Sequence, residues 1–250
     1  ACGIDPETAV VYLQSDLPEI PELYMLLNMH AYVGELEKVP TFKDKVRKQP
    51  NNVNAGLLTY PVLMTADVII HRASRVPVGK DQEQHLEMAR NFVNRFNHFY
   101  GVDYFPEPYP YNFGQELIKV PGLDGSGKMG KSEGNAIYLS DDPAVIRKKI
   151  MRAVTDTGPT EPNSPVSEPV NNLFTLLSLV ANAERVDFYK AAYADCSIRY
   201  GDLKKELAEE VLHFVAPIQE RIREIGADDA YIRKVLAEGA EKARLSSAKT

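Results

Sequence analysis

The sequence predicts an α/β fold for the first part of the chain and an all-helical fold for the second. The α/β prediction depends on a short strand candidate at 76–78 that is followed by a glycine turn and a capped helix, an arrangement that places ligands at a helix N-terminus. The division depends on a proline-rich segment at 155–170, which is typical of a loop or hinge. Beyond it, apolar residues recur at helical spacing: Leu203, Leu207, Phe214, Ile218, Ile222 and Ile225.

The remaining elements of the first part follow from local patterns. Residues 9–14 are a candidate for a short buried strand, and residues 60–71 are predicted to form a buried helix with Pro61 in its first turn. Asp81 is the predicted N-cap of the next helix, with Gln84 three residues later. One apolar stripe runs along that helix: Leu86, Ala89, Val93, Phe96 and Tyr100.

In the second part, the helical pattern continues almost to the last residue. Pro217 is expected to kink or interrupt the helix that contains it, because proline lacks the backbone N–H. A further helix is predicted over 230–243 despite Gly239 in its interior.

Composition excludes several classes of protein. The chain has 250 residues, two cysteines and no tryptophan. No window approaches the roughly 18 consecutive apolar residues of a membrane span. Cys2 and Cys196 are too few for a disulfide scaffold or a four-ligand zinc site. The first residues lack the features of a signal peptide, so a cytoplasmic location is expected. A net charge of −6 argues against a general nucleic-acid coat but allows a local basic patch.

Tyr60, Met64 and Asp67 are spaced to share one face of the predicted helix 60–71. A carboxylate in such an apolar stretch is costly unless it has a partner. One interpretation is an ion pair with Arg72 or Arg75. The other is a pocket for a flat ligand, in which Asp67 accepts a hydrogen bond from the ligand.

A glycine-rich segment at 122–132 contains a full match to the phosphate-loop pattern, from Gly125 to Ser132. That pattern requires a helix directly after it, and a new helix is predicted only near Asp141, so the context is not met. A mobile loop remains that carries Lys128 and Lys131, which suits a polyphosphate whose charge shifts during a reaction. A solvated basic loop is the alternative.

The turn at 78–82 is a third candidate site. A helix N-terminus there offers free N–H groups to an anion, and the Gln82 side chain can donate and accept hydrogen bonds. Helix capping alone would also explain Asp81.

Three blocks of the sequence, in this order, resemble bacterial tryptophanyl-tRNA synthetases. They are Ala55-Gly-Leu-Leu-Thr-Tyr-Pro-Val-Leu-Met-Thr-Ala-Asp67, Val76-Pro-Val-Gly-Lys-Asp-Gln-Glu-Gln-His85 and Lys128-Met-Gly-Lys-Ser132. Segments 152–157 and 238–243 also fit, so the resemblance covers nearly the whole chain. The combination of three blocks is specific, and the last block is a variant of the KMSKS loop of that family.

The resemblance implies a Rossmann-like class I catalytic domain at 1–154, a linker at 155–170 and a helical anticodon-binding domain at 171–250. It further implies a homodimeric enzyme that activates L-tryptophan with ATP and transfers it from tryptophanyl-adenylate to tRNA(Trp). Mg²⁺ would be bound with ATP, and no protein ligand to it is assigned.

The resemblance also assigns site residues. Asp67 corresponds to the acceptor of the indole N–H and Gln82 to the contact with the polar end of the amino acid; the pocket walls correspond to Tyr60, Met64, Val76 and Val78. The ATP site corresponds to Gly79, Lys80, Asp81, Val120, Lys128, Met129, Gly130, Lys131, Ser132 and Lys45. Among these, Lys128 and Lys131 would stabilise the departing pyrophosphate.

The sequence departs from the family at three points. Gly130 replaces a serine, which is expected to make the loop more flexible, and Lys80 replaces an acidic residue. No segment resembles the HIGH signature, and residues 3–6 match a point well inside the catalytic domain of the family. The chain is therefore expected to be a fragment that lacks the N-terminal segment and the extreme C-terminus, and to be unstable or nearly inactive alone.

Other functions remain as alternatives. A tyrosyl-type synthetase shares the fold and the loop, although the block that ends at Asp67 favours tryptophan. A binding or regulatory paralogue without ligase activity is disfavoured by the two loop lysines, and a phosphate-loop NTPase by the absence of a following helix. The apolar stretch 23–33 suits either a dimer interface or core packing.

Overall fold

The computed structural model describes residues 2–79, 82–111, 119–131 and 133–250. Within these ranges the chain forms ten α-helices, one 3₁₀ turn and two short strands. The helices are α1 Glu19–Asn28, α2 Val33–Leu36, α3 Pro40–Lys48, α4 Ala55–Ile69, α5 Glu83–Tyr100, α6 Pro143–Met151, α7 Glu168–Val180, α8 Ala183–Ala194, α9 Tyr200–Gly226 and α10 Asp229–Ser247. None of these helices is both long and apolar enough to cross a lipid bilayer.

The sheet of the described residues has two parallel strands, β1 Arg75–Pro77 and β2 Tyr109–Tyr111, with Val76 opposite Pro110. The strand predicted at 76–78 is therefore found one residue earlier. The prediction of a strand at 9–14 is wrong: the last residue of this segment, Gln14, begins a 3₁₀ turn, Gln14–Asp16. The segment has no neighbouring strand in the described part of the chain to pair with, although Leu13 keeps an extended backbone.

Helix α4 begins five residues before the predicted start. The cause is Asn54, whose side-chain oxygen accepts a hydrogen bond from the Leu57 N–H at 2.9 Å and so caps the helix. Pro61 consequently lies inside the helix and not in its first turn. Helix α5 agrees better with prediction, because Leu86, Ala89 and Val93 of its stripe are all buried.

The described chain forms two compact units. One contains residues 4–117 together with 230–250, and the other contains 1–3 and 118–229. The core of the first unit is built mainly by α1, α4 and α5, and Ala243 of α10 joins it. A Cβ at Gly239 would lie 1.9 Å from the Val11 carbonyl oxygen, so only glycine permits α10 to pack this closely.

Helix α10 thus belongs to the unit formed by the first half of the chain, whereas the sequence pattern grouped it with the preceding helices. The assignment of catalytic and anticodon-binding functions to 1–154 and 171–250 stays a prediction.

The second unit is dominated by helices α6 to α9. Its core includes Leu203 and Leu207 of the predicted apolar pattern, together with Ile146, Leu173 and Leu177. Helix α9 continues through Pro217 over 27 residues, so the proline does not interrupt it. Phe214, which was expected on the apolar stripe, is half exposed.

Candidate functional site

Tyr60, Met64 and Asp67 lie on α4, and each is partly buried. Both carboxylate oxygens of Asp67 accept hydrogen bonds from Nε2 of Gln14, at 2.8 and 2.7 Å. Sequence reasoning missed Gln14, because it lies in the segment predicted to be a strand and belongs to no motif that was recognised. The partner of Asp67 is thus a neutral amide.

The ion pair considered for Asp67 is absent from the described residues. The Arg72 guanidinium lies instead 4.8 Å from the ring centroid of Tyr104, and the Arg75 guanidinium 5.6 Å from that of Tyr111. Burial raises the pKa of Asp67, and the hydrogen bond from Gln14 opposes that rise. The carboxylate is therefore held in a half-buried place without a cation to neutralise it.

A tyrosine and a histidine extend this region. The hydroxyl of Tyr12 lies 2.8 Å from Nε2 of His71. Burial raises the pKa of Tyr12, and the charge of Asp67 raises it further. Burial lowers the pKa of His71.

The other end of the α4 face is organised by a histidine. Nε2 of His85 lies 3.1 Å from the Tyr60 hydroxyl and 3.2 Å from the Thr41 hydroxyl, and the two hydroxyls also bond to each other. Nζ of Lys45 stands 4.2 Å from the centroid of the Tyr60 ring. These contacts join α3, α4 and α5, and they bring together Tyr60 and Lys45 of the predicted site residues.

The segment after β1 is described as far as Gly79 and again from Gln82. Val76, Val78 and Gly79 are partly buried, and the Gln82 N–H donates to the Gly79 carbonyl at 2.9 Å. Gln82 occupies the N-cap of α5. Lys80 and Asp81, which were predicted to bind ATP, lie outside the described residues.

The lysine loop, residues 122–131, belongs to the second unit and is organised by Asn135. This side chain is 5% exposed. Its amide nitrogen donates to the Asp124 carboxylate, the Ser126 hydroxyl and the Lys128 carbonyl at 3.0, 3.0 and 3.1 Å. Its oxygen accepts from the Gly130 N–H at 2.9 Å. One buried amide therefore bonds to four residues of the loop.

Further bonds hold the same loop. The Met129 N–H donates to the Val120 carbonyl at 2.8 Å, so Val120 lies beside the loop. Its predicted contact with ATP stays a prediction. Hydrogen bonds from Ser126 and Asn135 lower the pKa of Asp124 to about 2. Gly125 adopts a φ of +84°, which strongly favours glycine.

The side chains of Lys128 and Lys131 are exposed, and neither forms an ion pair with a described residue. The loop thus combines a hydrogen-bonded backbone with two ammonium groups available to an anion. Ser132 lies outside the described residues. No described residue between 133 and 142 is helical, so the helix that a phosphate loop requires is not found there.

The chain is similar to proteins of known function along its whole length. A family described as "tRNA synthetases class I (W and Y)" matches residues 1–216. The tryptophan–tRNA ligase of Porphyromonas gingivalis is 62% identical over 250 residues, which are 100% of this chain and 76% of that protein. The tryptophan–tRNA ligase of Helicobacter pylori is 40% identical over 249 residues, which are 98% of this chain and 74% of that protein.

A similar structure has also been solved. It is the tryptophanyl-tRNA synthetase from Campylobacter jejuni, complexed with ADP and tryptophan. The TM-score is 0.85 and the sequence identity 33%, over 99% of this chain and 76% of that one.

Proposed function

Because the chain belongs to the class I tRNA synthetases for tryptophan and tyrosine, we propose that it carries out the tryptophan reaction of that family. It is a tryptophan–tRNA ligase: it joins L-tryptophan to ATP as tryptophanyl-adenylate, releases pyrophosphate and transfers the amino acid to tRNA(Trp). The Rossmann-like fold predicted for this family is confirmed by the similarity to the Campylobacter enzyme. The observation that carries the proposal is 62% identity to a tryptophan–tRNA ligase along the whole chain.

The proposed amino-acid site lies on the face of α4. Asp67 accepts a hydrogen bond from the indole N–H. Tyr60 and Met64 of the same helix form the walls of the pocket, together with Val76 and Val78. Gln82, which can both donate and accept, contacts the polar end of tryptophan. A site that pairs with a ligand N–H rejects phenylalanine strongly, because the buried carboxylate would be left without that donor.

Each of the two units carries residues that we propose as contacts of ATP. Gly79, Lys80 and Asp81 meet ATP at the N-terminus of α5, where free N–H groups favour an anion. Met129, Gly130 and Ser132 line the loop whose lysines, Lys128 and Lys131, stabilise the charge on the departing pyrophosphate. Lys45 and Val120 are further ATP contacts. Mg²⁺ bound with ATP would share the phosphate charge, without a protein ligand assigned to it.

For tRNA we propose the basic residues of α3. Lys43, Lys45, Arg47 and Lys48 are all exposed on that short helix, which suits a phosphate backbone. A second group of basic residues lies at the end of α6: Arg147, Lys148, Lys149 and Arg152. Two of them already form ion pairs within the chain, Arg147 with Glu209 and Lys149 with Asp141. A cytoplasmic location follows from this role in protein synthesis.

We also propose a homodimer, through the outer face of α1 and the residues after it. Leu23 and Leu27 of this stretch are buried, whereas Met25, Met29 and Tyr32 are 60%, 69% and 62% exposed. The stretch therefore packs on the core with one side and leaves the other uncovered. His30 extends this apolar face to the end of α5, since its ring centroid is 4.6 Å from that of Phe99 and 5.6 Å from that of Tyr100.

ATP–pyrophosphate exchange in the full-length natural protein tests the proposal. Exchange should require tryptophan and be far slower with tyrosine. Asp67→Ala should raise the KM for tryptophan about tenfold to a hundredfold, since a hydrogen bond to a charged group is lost. Asp103→Ala, which removes an exposed carboxylate of the same unit, is the control and should behave as the wild type. Preference for tyrosine, or unchanged tryptophan kinetics in Asp67→Ala, would overturn the proposal.

A further inference from the structure

One side-chain amide serves both oxygens of the carboxylate that faces the proposed indole site. Nε2 of Gln14 is 2.8 Å from one oxygen of Asp67 and 2.7 Å from the other. An ionised carboxylate has about four lone-pair positions. Gln14 uses two of them, so about two remain for a donor from a ligand, and Gln14 does not have to leave when the ligand binds.

We propose that Gln14 is a positioning residue that keeps Asp67 oriented and ionised for recognition of the indole N–H. The inference rests on the proposed function, in which Asp67 accepts that N–H. Gln14 itself does not touch the reacting atoms. It acts through Asp67, before and during binding of tryptophan.

The charged and polar side chains closest to Asp67 in sequence or in space have other partners. Arg72 and Arg75, the cations nearest in sequence, lie over tyrosine rings. The Tyr12 hydroxyl is bonded to His71. Burial alone favours the neutral form of the carboxyl group, and the hydrogen bond from Gln14 is what opposes it.

The chemistry of the partner matters as well as its presence. A paired arginine would offer up to five N–H groups and occupy the carboxylate in a bidentate fork. A neutral amide holds the two oxygens in place while leaving the group a charged acceptor. Such an acceptor distinguishes a ligand that has an N–H donor from one of the same shape that lacks it.

Gln14 is held in its place by the backbone and by the C-terminal helix. It opens the 3₁₀ turn Gln14–Asp16, and the fully buried Leu17 follows directly. Arg244 of α10 donates two hydrogen bonds to the Asp16 carbonyl, at 3.1 and 2.8 Å. A residue more than two hundred positions away therefore fixes the turn that aims Gln14 at Asp67.

The test compares tryptophan with its analogue that has sulfur in place of the indole N–H, by ATP–pyrophosphate exchange in the full-length natural protein. Gln14→Leu keeps the approximate size but removes the donor, and Gln14→Glu keeps the shape but replaces the donor with a second carboxylate. For Gln14→Leu we expect about a tenfold increase in the KM for tryptophan with kcat little changed. The preference for tryptophan over the analogue should fall by about the same factor, and Gln14→Glu should be more severe.

Ser15→Ala, a change at the neighbouring exposed residue, is the control and should keep the wild-type preference. General damage to the fold would lower activity with both substrates and leave their ratio unchanged. If the leucine variant does not fold, Gln14→Ala, which only removes atoms, can be used to measure the preference for tryptophan over the analogue. An unchanged ratio in the Gln14 variants would overturn this inference while Asp67→Ala still reports on the proposed function.

Discussion

At the scale of single residues, the hydrogen bonds of Asn135 lead to a specific prediction. Its amide bonds to four residues of the lysine loop while almost wholly buried. Asn135→Ala should lower the free energy of unfolding by about 1–3 kcal/mol, because four residues of the loop lose a hydrogen bond to this side chain. It should also lower kcat in the exchange assay while leaving the KM for tryptophan near its original value, since Asn135 and Asp67 belong to different units.

Urea unfolding and steady-state exchange provide the two measurements. Asn171→Ala, at an exposed asparagine of α7, should change neither quantity. The assignment of Asn135 to the loop would be contradicted by a rise in KM without a fall in kcat.

The residues that sequence analysis found differ in kind from those it missed. Asp67, Lys128 and Lys131 belong to contiguous motifs, so their types and spacing were informative. Gln14 reaches Asp67 across 53 positions of the chain, and Asn172 of α7 bonds to the Ser126 carbonyl across 46. Partners that are distant in sequence depend on packing, which one sequence without a structure does not provide.

At the scale of elements, the segment 155–170 was predicted to be a linker, and the structure shows how its ends are held. Asp156 accepts hydrogen bonds from the Tyr200 hydroxyl and, at 2.8 Å, from the Gly158 N–H. The Tyr193 hydroxyl donates to the Pro165 carbonyl at 3.1 Å. The segment is thus irregular as far as residue 167 and tied to α8 and α9, whereas its last three residues form the start of α7.

This arrangement predicts a dependence of stability on pH. Burial alone would raise the pKa of Asp156, but hydrogen bonds from Tyr200 and other neighbours lower it overall. A carboxyl group with a lowered pKa in the folded state stabilises the protein above its unfolded pKa of about 4, and this contribution is lost as the pH falls through the folded value. Tyr200→Phe should therefore cost about 1 kcal/mol at neutral pH and less in acid.

Urea unfolding of wild type and Tyr200→Phe at pH 7 and in strong acid would measure the difference. Asp156→Asn should reduce the pH dependence in the same range. Equal losses for Tyr200→Phe at both pH values would contradict the proposed link to Asp156.

Helices were predicted better than strands or boundaries. The apolar period of α5 and of the first half of α9 was sufficient to place them, because helical burial leaves a local pattern. The prediction of a strand at 9–14 was wrong because a strand needs a neighbouring strand for its backbone hydrogen bonds. That segment packs against α10 instead. The start of α4 was predicted too late because the prediction followed the preference of proline for a first turn. The helix begins instead after Asn54, whose side chain caps it.

At the scale of the whole molecule, the exposed apolar face around α1 predicts the oligomeric state. Met29→Asp places a charge where 69% of the side chain is exposed, so the fold of one chain should tolerate it. The same charge buried between two copies is costly, and the dimer should dissociate. In sedimentation, the Met29→Asp variant should show half the mass of the wild type.

The matched control is Leu245→Asp on α10, at a side chain that is 68% exposed and is not among the residues proposed for the interface. That variant should keep the wild-type mass. A wild-type monomer, or a Met29→Asp dimer of unchanged affinity, would rule out this interface.

The division of the chain has a consequence for its synthesis on the ribosome. Residues 4–117 emerge first, but the unit that they form also contains 230–250, including the helix that lies against Val11 at Gly239. The intervening segment, 118–229, can meanwhile complete its own core from nearly contiguous chain. The unit formed by residues 4–117 is therefore completed last, although most of it is translated before the other unit. Its apolar surfaces stay exposed until residues 230–250 have been synthesised. Nascent chains arrested before residue 230 should consequently bind chaperones through the first unit.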